Sequence, residues 1–242
     1  MAGPPTPMDP PIRSSLALRS LPLFASLPDA RLEQLARQCQ WHQLAAHQPL
    51  LLRADPQRDV YFLLSGRLRV TSYSAGGRQV SFRDSVKGDW FGDMAAVDGG
   101  PRSADVVTLE PSTVASLDSA AFMALLREEP LVAEREMRHL AGLVRQLSQR
   151  VIELSTLGVQ NRLHAELLRM ARTEGIVDNV ARLDPAPLHE ALANRISTQR
   201  EQVTRELARL ARDGLVEKDG KAMVLRDVER LSRMVAQVSG AG

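Results

Sequence analysis

The sequence contains a single cysteine, Cys39, among its 242 residues. One thiol cannot close an internal disulfide, and a cysteine-ligated iron–sulfur cluster needs several thiolates, so neither is compatible with this chain. Cys39 lies in an apolar pattern of helical spacing, which predicts a position in the core rather than a redox role.

Long apolar runs are also missing. No stretch of about 18 apolar residues occurs, which argues against a membrane-spanning helix. Residues 1–13 are rich in proline and contain no apolar segment of the signal-peptide kind, so we expect a disordered tail there. A cytoplasmic protein with no membrane partner is therefore the expectation.

Catalytic and metal-binding patterns are not found either. The histidines are scattered along the chain without the spacing of a metal site; they are His42, His47, His139, His164 and His189. No P-loop glycine pattern and no Ser-His-Asp order is visible. The sequence therefore predicts neither an enzyme nor a metal-binding protein.

Charge is nearly balanced, because 31 basic side chains face 29 acidic ones for a net charge of +2. An excess this small is by itself a weak indication of nucleic-acid binding. The arginines are nevertheless dense in one C-terminal stretch, which contains Arg195, Arg200, Arg205, Arg209 and Arg212. Such a patch would bind phosphate groups in a salt-dependent way.

The same stretch predicts an amphipathic helix with a defined start. Its apolar stripe recurs at helical spacing and consists of Val203, Leu207 and Leu210. Thr198 is followed three residues later by Glu201, a capping-box pattern that predicts a helix beginning there. Asp213-Gly214 predicts its end.

Three charged side chains lie off this stripe in the first two turns: Arg200, Glu201 and Arg205. A helix that presents its N-terminal residues to base edges is how a helix-turn-helix protein reads the major groove. Arginine offers a two-pronged donor to guanine, and glutamate accepts from the amino group of cytosine. A two-helix structural hairpin with a solvated basic face is the alternative.

The flanking segments favour a winged helix-turn-helix. A short helix is predicted before the turn at Ser197, with an apolar stripe of Leu188, Leu192 and Ile196, and with the small Ala193 where two helices approach. Two apolar runs, 215–217 and 222–225, flank Asp219-Gly220 and predict the hairpin called the wing.

The N-terminal half alternates short β-type runs with glycine and aspartate turns, after a helix predicted near Leu27–Ala36. The runs are 49–52, 60–64, 68–73, 79–82, 104–109 and 112–117. Short strands joined by regular turns predict a small β-sandwich or jelly-roll barrel.

A long helix over residues 130–157 separates the two halves. Its apolar residues follow a heptad spacing and are Met137, Leu140, Val144, Leu147, Val151 and Leu154. Valine at one seam position and leucine at the other favours a parallel two-stranded coiled coil, so we expect a homodimer. The alternative is a helix packed on its own domain.

A glycine-rich constellation between two predicted strands could hold a phosphate. It consists of Phe91–Met94 and Gly99–Ala104. Exposed backbone amides, a guanidinium and a hydroxyl, the last two from Arg102 and Ser103, suit phosphate oxygens. The carboxylate of Asp93 could accept from a ribose hydroxyl. The alternative is a β-turn in which Arg102 pairs with Asp93 or Asp98.

Four segments together resemble the cyclic AMP receptor protein / fumarate-nitrate regulator (CRP/FNR) family of bacterial transcription regulators. They are Val60–Gly66, Phe91–Asp93, Pro101–Ala104 and Arg200–Arg205. The resemblance implies an α+β fold with an N-terminal jelly-roll-like β-roll for a cyclic nucleotide, a long dimerisation helix and a C-terminal winged helix-turn-helix. The expected boundaries are a tail at 1–14, the β-roll at 15–130, the dimer helix at 131–157 and the DNA-binding domain at 158–242.

The resemblance also implies a ligand site for cAMP or cGMP as an effector, with no permanently bound cofactor. Its residues are Gly92, Asp93, Met94, Arg102, Ser103, Ala104, Leu147 and Ser148. The phosphate would lie on Arg102 and Ser103, and the ribose on Gly92 and Asp93. Asp93 stands where the family usually has the longer glutamate.

The base of the nucleotide would face Leu147 and Ser148, with Ser148 reaching in from the partner subunit. Leu147 stands where the cAMP-binding branch of the family has a threonine that hydrogen-bonds adenine. The absence of the cluster cysteines of the iron–sulfur branch argues against oxygen sensing.

For DNA, the resemblance implies contacts from Gln199, Arg200, Glu201, Thr204 and Arg205 to a TGTGA-like half-site in an inverted repeat, and RNA polymerase as a further partner. A regulator of the same fold that responds to another ligand, such as cyclic di-GMP, or to none, is the alternative. A nucleotide-binding module that regulates an enzyme partner is the third hypothesis.

Overall fold

The computed structural model describes residues 14–73 and 79–239, so the tail predicted for residues 1–14 lies outside the described part except for Ser14. The chain forms two compact units. The first comprises residues 1–72 and 82–142, and the second comprises residues 73–81 and 143–242. The boundary falls within one long helix, so that helix contributes to both units.

Two four-stranded antiparallel sheets form the centre of the first unit, with strand orders β1-β8-β3-β6 and β2-β7-β4-β5. The elements in chain order are α1 (Ser15–Arg19), a 3₁₀ turn (Pro22–Phe24), α2 (Asp29–Gln38), β1 (Gln40–Leu44), β2 (Pro49–Leu51), β3 (Val60–Ser65), β4 (Arg67–Tyr73), β5 (Gln79–Val86), β6 (Trp90–Phe91), α3 (Asp93–Asp98), β7 (Asp105–Thr108), β8 (Ser112–Leu117), α4 (Ser119–Glu128) and α5 (Pro130–Thr156). The predicted β-roll and the predicted long helix are therefore confirmed.

Strand β3 is the central strand of the core because both of its faces are buried. Tyr61 and Leu63 point into the apolar cluster shared by strands of the two sheets. Val60, Phe62 and Leu64 belong instead to the cluster formed with the helices. Successive side chains of a strand point to opposite faces, so this continuous apolar run fits a strand covered on both sides.

Several elements of the first unit escape the sequence prediction. They are α1, β1, β6, α3 and α4. Strand β1 has the sequence Gln-Trp-His-Gln-Leu, in which only Leu44 is buried, so its apolar signal is weak. The whole of β1 pairs with β8, from Gln40 opposite Ser116 to Leu44 opposite Ser112, and this pairing defines the strand.

The second unit contains the remaining helices and a three-stranded sheet of order β10-β11-β9. Its further elements are α6 (Val159–Glu174), β9 (Ala181–Leu183), α7 (His189–Arg195), α8 (Arg200–Arg212), β10 (Val216–Asp219), β11 (Ala222–Leu225) and α9 (Val228–Ser239). The predicted helix-turn-helix and wing are confirmed, and β9 is an additional strand that pairs with β11.

The start of α8 corrects two details of the sequence analysis. The N-cap residue is Gln199, without a side-chain cap, and the hydroxyl of Thr198 donates to the side chain of Gln202. The predicted capping box between Thr198 and Glu201 is therefore wrong. Leu188, expected in the apolar stripe of the preceding helix, is 75% exposed, because it is the N-cap residue of α7 and lies outside its buried face.

A buried glutamate connects three arginines within the second unit. Glu166 on α6 is 1% exposed, and its carboxylate accepts from Arg195 at 2.7 Å, from Arg150 at 3.4 Å and from Arg169. Burial alone would raise the pKa of Glu166, but the three cations outweigh burial and lower it. Arg150 also donates to the carbonyl of Arg195 at 2.8 Å, so α5, α6 and the end of α7 are joined through this cluster.

A second buried polar contact lies between α6 and α8. His164 Nε2 is 2.6 Å from Glu206 Oε1, and Arg209 donates to the same carboxylate at 2.6 Å. Burial lowers the pKa of His164, against the effect of Glu206.

Cys39, in the first unit, is also buried, and burial raises the pKa of its thiol to about 12, as expected for a core position.

Within residues 14–73 and 79–239, none of the helices combines the length and the apolar character that a membrane crossing requires.

We predict that Glu166→Gln destabilises the protein by about 3 kcal/mol, because it leaves three arginines facing a neutral group. The stabilising effect of the ionised Glu166 carboxylate is fully present at neutral pH. It is lost as pH falls from about 4.3, the value in an unfolded chain, through the lower pKa of the folded state. Urea denaturation followed by circular dichroism measures both effects.

The matched control is Glu217→Gln, which breaks the exposed ion pair between Glu217 and Arg226. Exposed pairs contribute at most about 1 kcal/mol. Equal losses in the two variants would contradict the stabilising role of Glu166.

Candidate functional site

The predicted phosphate site is built around Gly92 and Arg102 and is called the cradle. It begins at Gly92, between the end of β6 and the start of α3. Gly92 has a φ of 83°, in the left-handed region that side chains disfavour. A Cβ atom placed there would lie 2.6 Å from Arg102 Nη1 and 2.8 Å from the carbonyl oxygen of Asp59. The backbone conformation and the close approach of Arg102 therefore both require glycine.

Arg102 lies behind this glycine and is 3% exposed. Its Nη1 donates to the carbonyl of Gly92 at 2.9 Å, and its Nη2 donates to the carbonyl of Asp59 at 2.8 Å. The guanidinium carbon is 5.7 Å from the centre of the Tyr61 ring. Burial lowers the pKa of Arg102 from its ordinary high value.

Backbone carbonyls hold this guanidinium rather than the carboxylates of Asp93 or Asp98. The Nε–H of Arg102 is buried and has no acceptor among the described residues. An unsatisfied donor on a buried cation is costly unless a further acceptor arrives. The arrangement is therefore able to take an anion.

The other predicted ligand residues of the first unit differ in exposure. Asp93 is buried, whereas Met94 and Ser103 are exposed and Ala104 is half-buried. Leu147 and Ser148 are both exposed and lie on the part of α5 that belongs to the second unit. The structure thus brings together Gly92, Asp93 and Arg102.

Two residues of α5 next to Asp93 were missed by the sequence analysis. Glu136 is 2% exposed, and it accepts from Trp90 Nε1 at 2.6 Å. His139 Nε2 lies 3.9 Å from Asp93 Oδ2. A weak signal was available, because Glu136 lies one helical turn after the buried Val132 and so on the same helix face.

The predicted DNA-reading residues lie at the start of α8 in the second unit. Ser197 takes a left-handed φ of 54° in the turn before them. All five predicted residues are exposed, namely Gln199, Arg200, Glu201, Thr204 and Arg205, whereas the stripe of Val203, Leu207 and Leu210 is buried. The polar surface and the core face of α8 are therefore separated as the spacing predicts.

The arginines of this stretch divide into two groups. Arg195 and Arg209 are bound to the buried carboxylates of Glu166 and Glu206. Arg200, Arg205 and Arg212 are exposed and form no ion pair within the described part of the chain. Only the second group is available to phosphates or base edges.

The predicted coiled-coil seam on α5 is largely open to solvent. Its exposed members are Met137, Val144, Leu147, Val151 and Leu154, with exposed fractions from 47% to 63%, and Leu140 is half-buried. A continuous row of large exposed apolar side chains is typical of an interaction surface.

Two families match this chain, one in each unit. Residues 41–129 match the cyclic nucleotide-binding domain, and residues 161–234 match the Crp-like helix-turn-helix domain. The chain belongs to the CRP/FNR family of transcription regulators. It therefore combines a cyclic-nucleotide-binding domain with a DNA-binding domain, as the four sequence motifs indicated.

Curated relatives of this CRP/FNR chain match along most of their length. A CRP-like cAMP-activated global transcriptional regulator of Mycobacterium tuberculosis is 24% identical over 87% of this chain and 95% of the relative. The cyclic AMP receptor protein of Thermus thermophilus is 29% identical over 82% of this chain and 89% of the relative.

Among solved structures, a CooA mutant from Carboxydothermus hydrogenoformans has a TM-score of 0.73 at 19% identity and covers 84% of this chain and 90% of its own. The cyclic di-GMP-responsive regulator CLP of Xanthomonas campestris has a TM-score of 0.69 at 18% identity and covers 82% of this chain and 99% of its own. At these identities the likeness supports the fold of this CRP/FNR chain.

We predict that Gly92→Ala destabilises the first unit more than Gly88→Ala does. Both glycines have positive φ, so alanine introduces a strain of about 1–2 kcal/mol at either position. Only at Gly92 would the new Cβ meet backbone and guanidinium atoms closer than 3 Å, whereas the nearest atom at Gly88 is 3.5 Å away.

The clash should add at least about 1 kcal/mol at Gly92. Urea denaturation of the two variants measures the difference. Equal destabilisation would mean that the cradle rearranges freely around a side chain.

Proposed function

We propose that this protein is a homodimeric transcription regulator whose DNA binding responds to cAMP or cGMP bound in the first unit. The observation that carries the proposal is the buried guanidinium of Arg102, whose Nε–H lacks an acceptor in the described structure. The phosphate of a cyclic nucleotide carries one negative charge and two free oxygens, which suit a guanidinium fork. One relative is named as cAMP-activated and another as a cyclic AMP receptor protein, and both names favour the same class of ligand.

The surroundings of Arg102 fit a phosphate in two further ways. Ser103 is exposed next to it and offers a hydroxyl donor. The amides at the start of α3 follow Gly92 directly, so the backbone approaches the ligand without an intervening side chain. We place the phosphate on Arg102 and Ser103, and the ribose beside Gly92 and Asp93.

The base would lie towards α5 near Leu147 and Ser148, with Ser148 of the second protomer closing the site. Leu147 can pack on a base but offers no hydrogen bond to read it, so it does not favour adenine over guanine. Cyclic di-GMP, to which the structural neighbour CLP responds, is the alternative ligand.

The dimer would form along the exposed seam of α5. Pairing the seams would bury apolar side chains that are open to solvent in one chain, and valine and leucine alternate at the two seam positions as in two-stranded coiled coils. Two copies of α8 would then meet two half-sites of an inverted repeat about one helical turn apart.

On each half-site we assign base contacts to Arg200, Glu201 and Arg205, with Gln199 and Thr204 beside them. The two arginines suit guanine and the glutamate suits the amino group of cytosine, in keeping with a TGTGA-like half-site. RNA polymerase is the expected protein partner of such a regulator.

Ligand control would be a population shift between two arrangements of α5 and the DNA-binding units. Gly158 separates α5 from α6, and a Cβ there would meet no atom within 4 Å. The segment from Leu154 to Val159 therefore has room for a change in backbone direction.

Fluorescence anisotropy with a labelled duplex tests the function. We expect cAMP or cGMP to strengthen binding to an inverted TGTGA repeat by about 5-fold to 150-fold, the usual range of such coupling. A scrambled duplex should show no such gain. Cyclic di-GMP acting in their place would support the alternative ligand, and no effect of any nucleotide would contradict ligand control.

In the same assay, Arg200→Ala should weaken the free energy of DNA binding by about 1–3 kcal/mol and relax base preference at one position of each half-site. The control Arg212→Ala removes an exposed arginine from the other end of α8 and should leave base preference unchanged. Unchanged DNA affinity of Arg200→Ala would favour the hypothesis of a nucleotide-binding module that regulates an enzyme.

A separate prediction concerns the dimer. Val151→Glu places a charge in the seam and should weaken dimerisation about tenfold or more, because the carboxylate would lose water without gaining a partner. Ile152→Glu is the matched control, since Ile152 is 55% exposed and lies next to the seam on a different face of α5. Sedimentation velocity measures both variants, and equal behaviour would argue against the seam.

A further inference from the structure

Asp93 is turned towards α5 in the first unit and is not open to solvent. Its side chain is 5% exposed, with His139 Nε2 at 3.9 Å from its Oδ2. Glu136 lies within hydrogen-bonding reach of Asp93, and Trp90 Nε1 donates to the other side of Glu136 at 2.6 Å. The expected ribose acceptor is therefore already engaged by a second carboxyl group.

The hydrogen bonding of this pair is incomplete without an added proton. Asp93 Oδ2 and Glu136 Oε1 are both buried, and neither has a donor within the described part of the chain. Two ionised carboxylates within hydrogen-bonding reach of each other in a buried site repel each other. One proton on Glu136 would convert the repulsion into a hydrogen bond and would satisfy both oxygens.

The surrounding charges agree with a protonated Glu136. The pKa of Glu136 is raised to about 8. Burial is the largest cause, the neighbouring Asp93 adds to the rise, and the hydrogen bond from Trp90 opposes it. Burial also lowers the pKa of His139, so this ring supplies no cation near neutral pH.

The other charged groups near the pair lie on other elements, and one of them is Arg102, on whose pKa Asp93 has a raising effect. Arg83 on β5 donates to the carbonyl of Trp90 at 3.2 Å and lowers the pKa of His139. Asp89, just before β6, raises the pKa of His139, and so does Asp93 on α3. Neither Arg83 nor Asp89 takes part in the pair itself.

We infer that Glu136 is a positioning residue whose proton holds Asp93 against α5, and that nucleotide binding releases this proton when the ribose takes Asp93. The inference rests on the proposed function, because the ligand is a cyclic nucleotide whose ribose hydroxyl donates to Asp93. When Asp93 leaves, Glu136 loses the neighbouring negative charge that favours its protonated form. Its pKa falls, and a fraction of a proton passes to solvent.

The sign of the pH dependence follows from this release. Affinity for cAMP should rise as pH increases towards about 8 and should level off above it, because Glu136 is then ionised before binding. A fall of about one unit in the pKa of Glu136 corresponds to about half a proton released near pH 7.5 and to a total gain in affinity of about tenfold.

Glu136→Gln separates this role from a purely structural one. The amide of glutamine keeps a permanent donor towards Asp93 but cannot titrate. The variant should fold and bind cAMP with an affinity that does not change over the same pH range. His139→Gln is the companion variant, and it should retain the proton release.

Two measurements on the full-length protein test the inference. In the ligand-free protein with Trp41→Phe, the fluorescence of Trp90 should show a titration step near pH 8 that Glu136→Gln abolishes. Calorimetric titration with cAMP in buffers of different ionisation enthalpy should then count the protons released. A fluorescence step that persists in Glu136→Gln would overturn the inference, and so would the absence of a step in the protein that retains Glu136.

The calorimetry also separates the two proposals. Binding of cAMP with no proton exchange would overturn the role of Glu136 and leave the proposed function standing. If neither cAMP nor cGMP binds, the proposed function fails, and the release of a proton on binding fails with it. The fluorescence step reports on Glu136 in either case.

Discussion

The first unit depends on one contact, the insertion of a buried arginine behind a glycine. Arg102 is held by the carbonyls of Gly92 and Asp59, which join the start of α3 to the segment before β3. The guanidinium donates to two backbone oxygens, and its Nε–H has no acceptor among the residues that the structure describes. Because backbone oxygens already fix this guanidinium, little side-chain entropy remains for it to lose when a ligand binds.

Helix α5 links this cradle to the other surfaces of the protein. Glu136 and His139 face the interior of the first unit, whereas Met137, Val144 and Val151 lie on the exposed seam. Further along, Arg150 joins the same helix to the buried Glu166. Glu136, which pairs with the buried Asp93 of α3, therefore lies on the same helix as the exposed apolar seam.

The sequence predicted those parts of the fold whose signal is local. The continuous apolar run of β3 and the helical periodicity of α8 were sufficient, since these apolar residues are the buried ones. The start of α8 was misjudged because Gln199, not Thr198, is the N-cap residue, and the hydroxyl of Thr198 donates to the side chain of Gln202. Glu136 was missed because its spacing from Val132 is only a weak signal, and its hydrogen-bond donor Trp90 lies 46 residues away in sequence. An acid on a helix is ordinarily solvated.

The short side chain of Asp93 links its contact with Glu136 to the proposed binding of a nucleotide. A glutamate at this position would extend one methylene further and could reach a ribose with α3 in place. Aspartate is anchored closer to the helix backbone and lies beside Glu136, so under the proposed function contact with a ribose would require Asp93 to move away from Glu136. Ligand affinity would then depend on the contact between Asp93 and Glu136, and by reciprocity whatever alters this contact would alter the affinity for the ligand. Under the proposed function, the operator should tighten nucleotide binding by the same factor by which the nucleotide tightens operator binding.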